Sequence, residues 1–456
     1  MLKAMSKAPT PVVLVILSFL CPTELSLYLE GLRLPPHRIA LILLFPLALF
    51  RLLTDRQIRI RSFDVLFILF NVWTVCVFTY HTGGKEGLVY GGSLALGSLG
   101  SYLVARAYVR DGQSFRATIK VVLAAIVVAA LIALPETLLG QIFTHDLLRS
   151  LTGYHHPTGV ETRLGLTRAY GTFDHPIHYG TFCAALFALM WFTERRQAAR
   201  HRKAAMISCA TFLGISSAPM LCLGLQGGML VWDRTTRGIG SRGWITVAAL
   251  VGLYLGASMV ATRSPIAFIA TGMTLDSWTG FYRLQIWEHG LANVWANPWA
   301  GIGLADWERP WWMVSPTVDA FWLVIAMREG IPAFLLVAAA IVLLARSVLT
   351  GRRLHADQQV RRIALGWMMS LIALALIGCT VHYWNVLHAY FFFFIGLGGW
   401  IADPTRASRA RAPLAAPAAT DAARGRRLRG LQPVRPAAEP LLPLPGHAGL
   451  GMQPLA

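Results

Sequence analysis

An all-α, polytopic membrane bundle is the fold this sequence predicts, and three observations predict it. Apolar residues make up 55% of the chain and charged residues only 14%, where an ordinary soluble domain carries about 25% charged residues. The mean hydropathy is +0.54. The apolar residues gather in runs of about 18 to 20, each long enough as a helix to cross about 30 Å of hydrocarbon. They do not alternate with polar residues, as the strands of a membrane β-barrel would.

Twelve runs read as spans: 11–29, 36–53, 63–80, 87–105, 118–138, 177–194, 204–217, 218–232, 243–262, 320–348, 362–381 and 385–402. The first follows Lys3 and Lys7, as the apolar stretch of a signal peptide would. No small-residue cleavage site leads into a soluble chain, and further spans come directly after, so it reads as an uncleaved helix. Residues 204–232 lie between two basic connections. One long helix there would carry Arg234, Arg237 and Arg242 to the opposite face. Two short helices turning near Ser216-Ser217-Ala218-Pro219 keep both connections on one side; a re-entrant loop is the alternative.

Orientation follows from the basic residues. Arg51, Arg56, Arg59 and Arg61, then Arg106, Arg110 and Arg116, then Arg195, Arg196, Arg200, Arg202 and Lys203 fall in alternate connections. Arg234, Arg237 and Arg242, and finally Arg346, Arg352, Arg353, Arg361 and Arg362, continue the series. These connections and both termini are expected in the cytoplasm. The net charge of +19 is then a topology signal, scattered among loops and not gathered in a stripe, which argues against a nucleic-acid partner.

Cys21, Cys76, Cys183, Cys209, Cys222 and Cys379 all lie in or beside apolar runs, with no C-x-x-C spacing, and read as small hydrophobes. Residues 1–402 form the expected transmembrane domain. The Ala-, Pro- and Arg-rich stretch 403–456 lacks periodic apolar residues and reads as a disordered cytoplasmic tail that can touch anionic membrane lipids.

Two connections are long, 139–176 and 263–319, and the alternation puts both outside. Long ordered loops in a tightly connected protein usually carry function. The second holds Trp278, Trp287, Trp295, Trp299, Trp307, Trp311 and Trp312. Such density suits anchoring at the bilayer interface and stacking on the apolar faces of sugar rings equally well.

The first loop ends in Arg168-Ala-Tyr-Gly171-Thr-Phe-Asp174-His175-Pro176-Ile-His178-Tyr-Gly180. This resembles the R-x-x-G-x-F-x-x-P-x-x-x-G signature of the O-antigen ligase and polymerase superfamily. The second loop runs through Phe281-Tyr282-Arg283 and Trp287, Asn297-Pro298-Trp299, Gly301-Ile-Gly303, and Thr317-Val318-Asp319-Ala-Phe-Trp322 to Arg328-Glu329-Gly330-Ile-Pro332. That order, and the Ser216–Pro219 turn, are similar to the same superfamily over roughly residues 10–402. The resemblance implies a GT-C-like membrane glycosyltransferase of exopolysaccharide, O-antigen or lipopolysaccharide biosynthesis. Its partners would be a polyprenyl-diphosphate-linked glycan, with a chain-length regulator and a flippase as protein neighbours, and no cofactor is implied.

Such a reaction has a diphosphate leaving from an anomeric carbon under attack by a hydroxyl. Arginine's planar fork suits phosphate oxygens, and Arg168 and Arg283, matching the motif arginines, would clamp the diphosphate as the bond breaks. Two arginines can take the place of a metal there, and the sequence offers no acidic metal cluster. Their plainer reading is contact with lipid headgroups or a local pair with Asp174 or Glu288. The attacking hydroxyl needs a base. Where the family's ligases place a histidine, this chain has Asp319. Asp319 is read as a base or ligand, or else as a helix cap. His175 and His178 are alternative bases or ligands, His155 and His156 are solvated, and Gly171, Asp174, Trp287 and Trp322 complete the expected substrate site. Arg328 and Glu329 read as a local ion pair marking a helix break, with Glu329 near the Asp319 face. A polymerase is the first reading. The alternatives are a ligase to lipid A-core, a transporter of polysaccharide or lipid-linked sugar, and an assembly partner without activity. The spans show few of the mid-bilayer polar groups that a transporter would need.

Overall fold

The computed structural model describes residues 7–29, 32–154, 159–260, 277–355 and 357–403. His155, His156, the start of the second loop and, apart from Asp403, the expected tail lie outside the described residues. The chain is mostly helical. α1 (Thr10–Phe19) leads through a 3-10 turn to an antiparallel hairpin, β1 (Leu27–Leu29) with β2 (Leu32–Leu34). There follow α2 (Pro36–Thr54), α3 (Ser62–Thr82), α4 (Gly84–Tyr108) and α5 (Gly112–Leu139). After them come α6 (Phe143–Thr152), a second hairpin of β3 (Thr162–Arg163) and β4 (Leu166–Thr167), α7 (Pro176–Ala184), α8 (Phe187–Thr193), α9 (Gln197–Phe212), α10 (Ser217–Thr236) and α11 (Arg242–Val260). The last are α12 (Ser277–Ala296), α13 (Phe321–Leu354), α14 (Gln358–Ile377) and α15 (Asn385–Ala402).

Among the described residues seven helices, α2 to α5 and α13 to α15, are long and apolar enough to cross a bilayer, which marks the chain as a membrane protein. Several expected spans take a different form. The run 11–29 is helical only over Thr10–Phe19, because Pro22 offers no N–H to continue the ladder and the rest of the apolar run becomes the β1–β2 hairpin. The run 177–194 is two helices broken at Ala185–Leu186. Buried Gln226 of α10 mends that break. Its Nε2 donates to the Ala184 carbonyl at 2.9 Å and its Oε1 accepts the Ala188 N–H at 2.9 Å, the kind of repair a helix needs where water is absent. The helix break expected near Ser216–Pro219 is present, between α9 and α10, with Ile215 at φ 38°.

The expected Arg328–Glu329 ion pair does not form, although the break beside it does. Gly330 leaves the helix at φ 85° within α13. The two side chains then part: Arg328 Nη1 donates to the Gly303 carbonyl at 2.7 Å, and Glu329 Oε2 accepts from Thr74 Oγ1 at 2.5 Å. Adjacent helical residues point about 100° apart, and these two find separate partners. The glycines of the second loop dock on this break. Ile302 N donates to the Met327 carbonyl at 2.8 Å, Gly303 N to that of Arg328 at 3.0 Å, and Ile331 N to that of Pro298 at 2.8 Å. The helical carbonyls and N–H that Gly330 and Pro332 release are thus taken up by the loop.

Both long connections meet at one end of the bundle. There the end of α5, the starts of α7, α13 and α15, and the end of α14 are tied by hydrogen bonds. Phe321 N donates to the Val381 carbonyl at 3.1 Å, and His178 Nε2 to that of His382 at 3.1 Å. The opposite end is held by a fully buried pair, Arg106 Nε with Asp64 at 3.1 Å, and by Arg61 with Asp403 at 3.1 Å.

Candidate active site

The motif ending the first loop is fixed from below. Glu136, near the end of α5, accepts the backbone N–H groups of Tyr170 at 3.0 Å and Gly171 at 2.8 Å on one carboxylate oxygen. Gly171 is at φ 60°, and a Cβ there would lie 3.2 Å from the Tyr179 ring. The turn therefore needs glycine and a buried acceptor together. Asp174 is held on both oxygens, by Thr23 Oγ1 at 2.5 Å and Asn385 Nδ2 at 2.7 Å. It staples the N-terminal turn to the motif and to α15. Asn385 sits at φ 46° to do so, a conformation asparagine tolerates better than most residues.

Arg168 is 2% exposed and pairs with half-exposed Glu161, not with Asp174. Its backbone N–H also bonds the Glu161 carbonyl at 3.0 Å, so the β3–β4 hairpin that separates them carries the partner. Arg168 Nε and Nη2 are buried with no hydrogen-bond acceptor among the described residues, and so is Arg283 Nε. Arg283, on α12, lies within electrostatic range of Asp319, Arg163 and Arg168. Burial pulls Arg283 below the usual arginine range, Asp319 pulls it back, and Arg163 and Arg168 lower it further. Burial also lowers Arg168, with Glu161 opposing and Arg163 adding to the fall. Arg283 does not pair with Glu288, whose carboxylate instead accepts from Gln285 at 3.1 Å.

Asp319 lies two residues before α13 and does not cap it: the cap position is Ala320, with no side-chain cap bond. The aspartate is partly buried. Desolvation raises its carboxyl above the ordinary aspartate range, and Arg283 opposes that rise. Three guanidinium groups thus lie within electrostatic range of one another and of two carboxylates, one of them half exposed. Among the described residues this leaves one positive charge without a paired anion, which is costly where the groups are buried.

The remaining expected residues lie around this cluster as framework. His175 caps α7, its Nδ1 accepting the Ile177 N–H at 3.1 Å. His178 packs over Trp384 with ring centroids 3.7 Å apart. Trp287 Nε1 donates to the Cys379 carbonyl at 2.8 Å and Trp322 Nε1 to that of Ala375 at 2.7 Å, so both indoles anchor on the end of α14. In the second loop Trp295, Trp299 and Trp311 are exposed, whereas Trp307 is buried.

Sequence reasoning missed Glu136, Arg163, Thr23 and Asn385, which carry no motif of their own. It also missed a cavity of about 550 Å³ between α2, α3, α4, α13 and α15. That cavity gathers His37, Arg38, Glu86, Glu329 and His388, so the spans are richer in polar groups than their overall apolar character predicts. Apart from the adjacent His37 and Arg38, these residues lie far apart in sequence, and only packing brings them together. No family model and no curated protein matches this chain.

Proposed function

We propose that the chain is a GT-C-like membrane glycosyltransferase of about twelve spans, with both long loops on the extracytoplasmic face of a bacterial inner membrane and both termini inside. It would transfer a polyprenyl-diphosphate-linked oligosaccharide to a sugar hydroxyl, as an exopolysaccharide or O-antigen polymerase. The resemblance of its motifs to the O-antigen ligase and polymerase superfamily suggests the reaction. One observation carries the reading: Arg168 and Arg283, more than a hundred residues apart in sequence, lie within electrostatic range of each other, each with buried N–H donors that have no acceptor among the described residues.

An anion with several oxygens satisfies such donors, and a diphosphate gains negative charge as it leaves. The acceptor hydroxyl oxygen attacks the anomeric carbon. The bond from that carbon to the diphosphate oxygen breaks with its electron pair on the leaving group, where Arg168 and Arg283 stabilise it. Asp319 takes the hydroxyl proton; its raised carboxyl suits a base better than an ordinary aspartate would. Asp174, His175, Trp287 and Trp322 position the site through the hydrogen bonds they already make, and Gly171 lets the motif turn.

A second reading, a transporter of lipid-linked sugar, is favoured by the polar groups around the cavity, since ionisable side chains at span depth often line a pathway. Glycan analysis of a deletion strain separates these readings. Single lipid-linked repeats accumulating on the outer leaflet mean polymerase, and finished lipid-linked polymer means ligase. Repeats trapped on the inner leaflet mean transport, and intact surface glycan rejects all three.

A further inference from the structure

The cavity between α2, α3, α4, α13 and α15 is separate in its residues from the arginine cluster, yet it opens at the same end of the bundle. Phe321, two residues after Asp319, forms part of its wall. Three arginines line it. Arg33 is held by Ser26 and Thr23 at 3.0 Å each. Among the described residues, Arg38, at the start of α2, bonds only through Nη1, at a long 3.4 Å from the Arg33 carbonyl, and Arg328 only through Nη1, on Gly303. Tyr90 lies within electrostatic range of both. Deeper in the wall, His37 is 2% exposed, and its Nδ1 has no partner among the described residues; neither has Nε2 of His388. The floor is open at Gly97, where a Cβ would come within 3.3 Å of the His388 ring.

We propose that this cavity binds an anionic sugar unit of the glycan, its acidic group between Arg38 and Arg328 and its hydroxyls on His37 and His388. This inference rests on the glycan-transfer reading and names its substrate class. The free guanidinium edges fit a carboxylate or phosphate oxygen pair. Imidazole nitrogens without partners fit hydroxyls, which both donate and accept. Tyr90 and Phe321 offer rings to the apolar faces of a pyranose. The carboxylates present do not cancel the rim: Glu329 is already held by Thr74, and Glu86 is exposed at the mouth. An acyl or prenyl chain is a poorer occupant, because the deep wall would leave two imidazole nitrogens unsatisfied against hydrocarbon.

Purified protein in detergent would be titrated with a glucuronate–glucose disaccharide, with the same disaccharide reduced at its carboxyl, and with glucose 6-phosphate, reading tryptophan fluorescence, since Trp384 borders the cavity. The acidic disaccharide should bind at least about tenfold more tightly than its reduced form. Arg38→Gln should erase that preference, and Arg38→Lys should keep part of it. Thermal unfolding of both variants should match the parent, since Arg38 contributes one weak bond to the fold. Tighter binding of the sugar phosphate than of the glucuronate would identify phosphate as the acidic group. Equal affinity for the charged and reduced sugars, no binding of any probe, or a fluorescence response only to phosphatidylglycerol nanodiscs would each overturn the proposal. The deletion-strain analysis is independent of this: glycan lost with no sugar binding rejects the cavity assignment alone, and glycan intact rejects the transfer reading.

Discussion

Glu136 of α5 and Gly171 of the first loop are joined by a 2.8 Å hydrogen bond from the glycine N–H to the buried carboxylate. The same oxygen takes the Tyr170 N–H, so a single side chain inside the bundle sets the height of the loop that carries Arg168.

Glu136→Ala should therefore loosen the loop as well as the helix. Two hydrogen bonds to a charged acceptor are lost, and the cost is on the order of 3 kcal/mol. Glu136→Gln keeps one carbonyl acceptor and should recover much of it. Thermal unfolding in detergent, paired with surface-glycan yield, measures both effects. An alanine variant as stable and productive as the parent would show that the loop is held by other means.

Arg168→Lys and Arg283→Lys should each keep the charge but lose the fork, so glycan yield should fall by about tenfold or more while protein levels stay normal. Double substitution should cost less than the product of the singles, because the two groups share one anion. Multiplicative losses would mean that the arginines act on separate targets.

Asp319→Asn should abolish transfer without unfolding the protein. Because burial raises the Asp319 carboxyl, activity should climb with pH through a limb above the ordinary aspartate range. Stability should run the other way. A carboxyl that binds its proton more tightly when folded loses its contribution as pH rises from the unfolded value, about 3.9, through the raised folded one. The asparagine variant should lack that stability change. Full glycan synthesis in it would move the base to His175 or His178.

His145 of α6 and Glu24 form a fully buried pair, Nδ1 to Oε1 at 2.5 Å. Burial alone would lower the histidine, but the Glu24 hydrogen bond and charge outweigh it and raise it. The stability it contributes is complete below the unfolded value of about 6.5 and is lost as pH rises through the raised folded value. Unfolding temperature should fall over that alkaline window. His145→Ala should remove the dependence and destabilise the protein, since one member of a buried pair is lost. A flat profile in the parent would mean that the pair is not ionised.

Gly330→Ala should be among the most damaging single changes. At φ 85° a Cβ would lie 2.0 Å from the Trp299 carbonyl oxygen, and no rotation relieves a clash with backbone. The loop at 298–303 would have to leave α13, with loss of protein from the membrane or a cost of more than about 3 kcal/mol. Normal expression and stability in the alanine variant would refute this docking.

What the sequence determines by itself is set by local physics. The length and apolarity of a run decide that it prefers hydrocarbon, so the helical membrane class can be read without coordinates. Glycines at 171, 301, 303 and 330 mark turns because only glycine adopts positive φ at little cost, and the order of the motif residues singles out Arg168, Arg283 and Asp319. Hydropathy cannot reveal where an apolar run stops being a helix. The expected span 11–29 stops as a helix at Phe19 and continues as a turn and a strand, and 177–194 is broken and mended by Gln226, which is distant in sequence. Nor does spacing along the chain reveal partners. Arg168 finds Glu161 across a hairpin, Asp174 finds Thr23 and Asn385, and Arg328 and Glu329 separate although they are adjacent. The polar cavity is assembled from residues scattered over four helices, which spacing along the chain does not connect. Composition is a property of each segment, whereas a buried charge is satisfied by whatever packing brings within about 3 Å of it, and that only the tertiary structure decides.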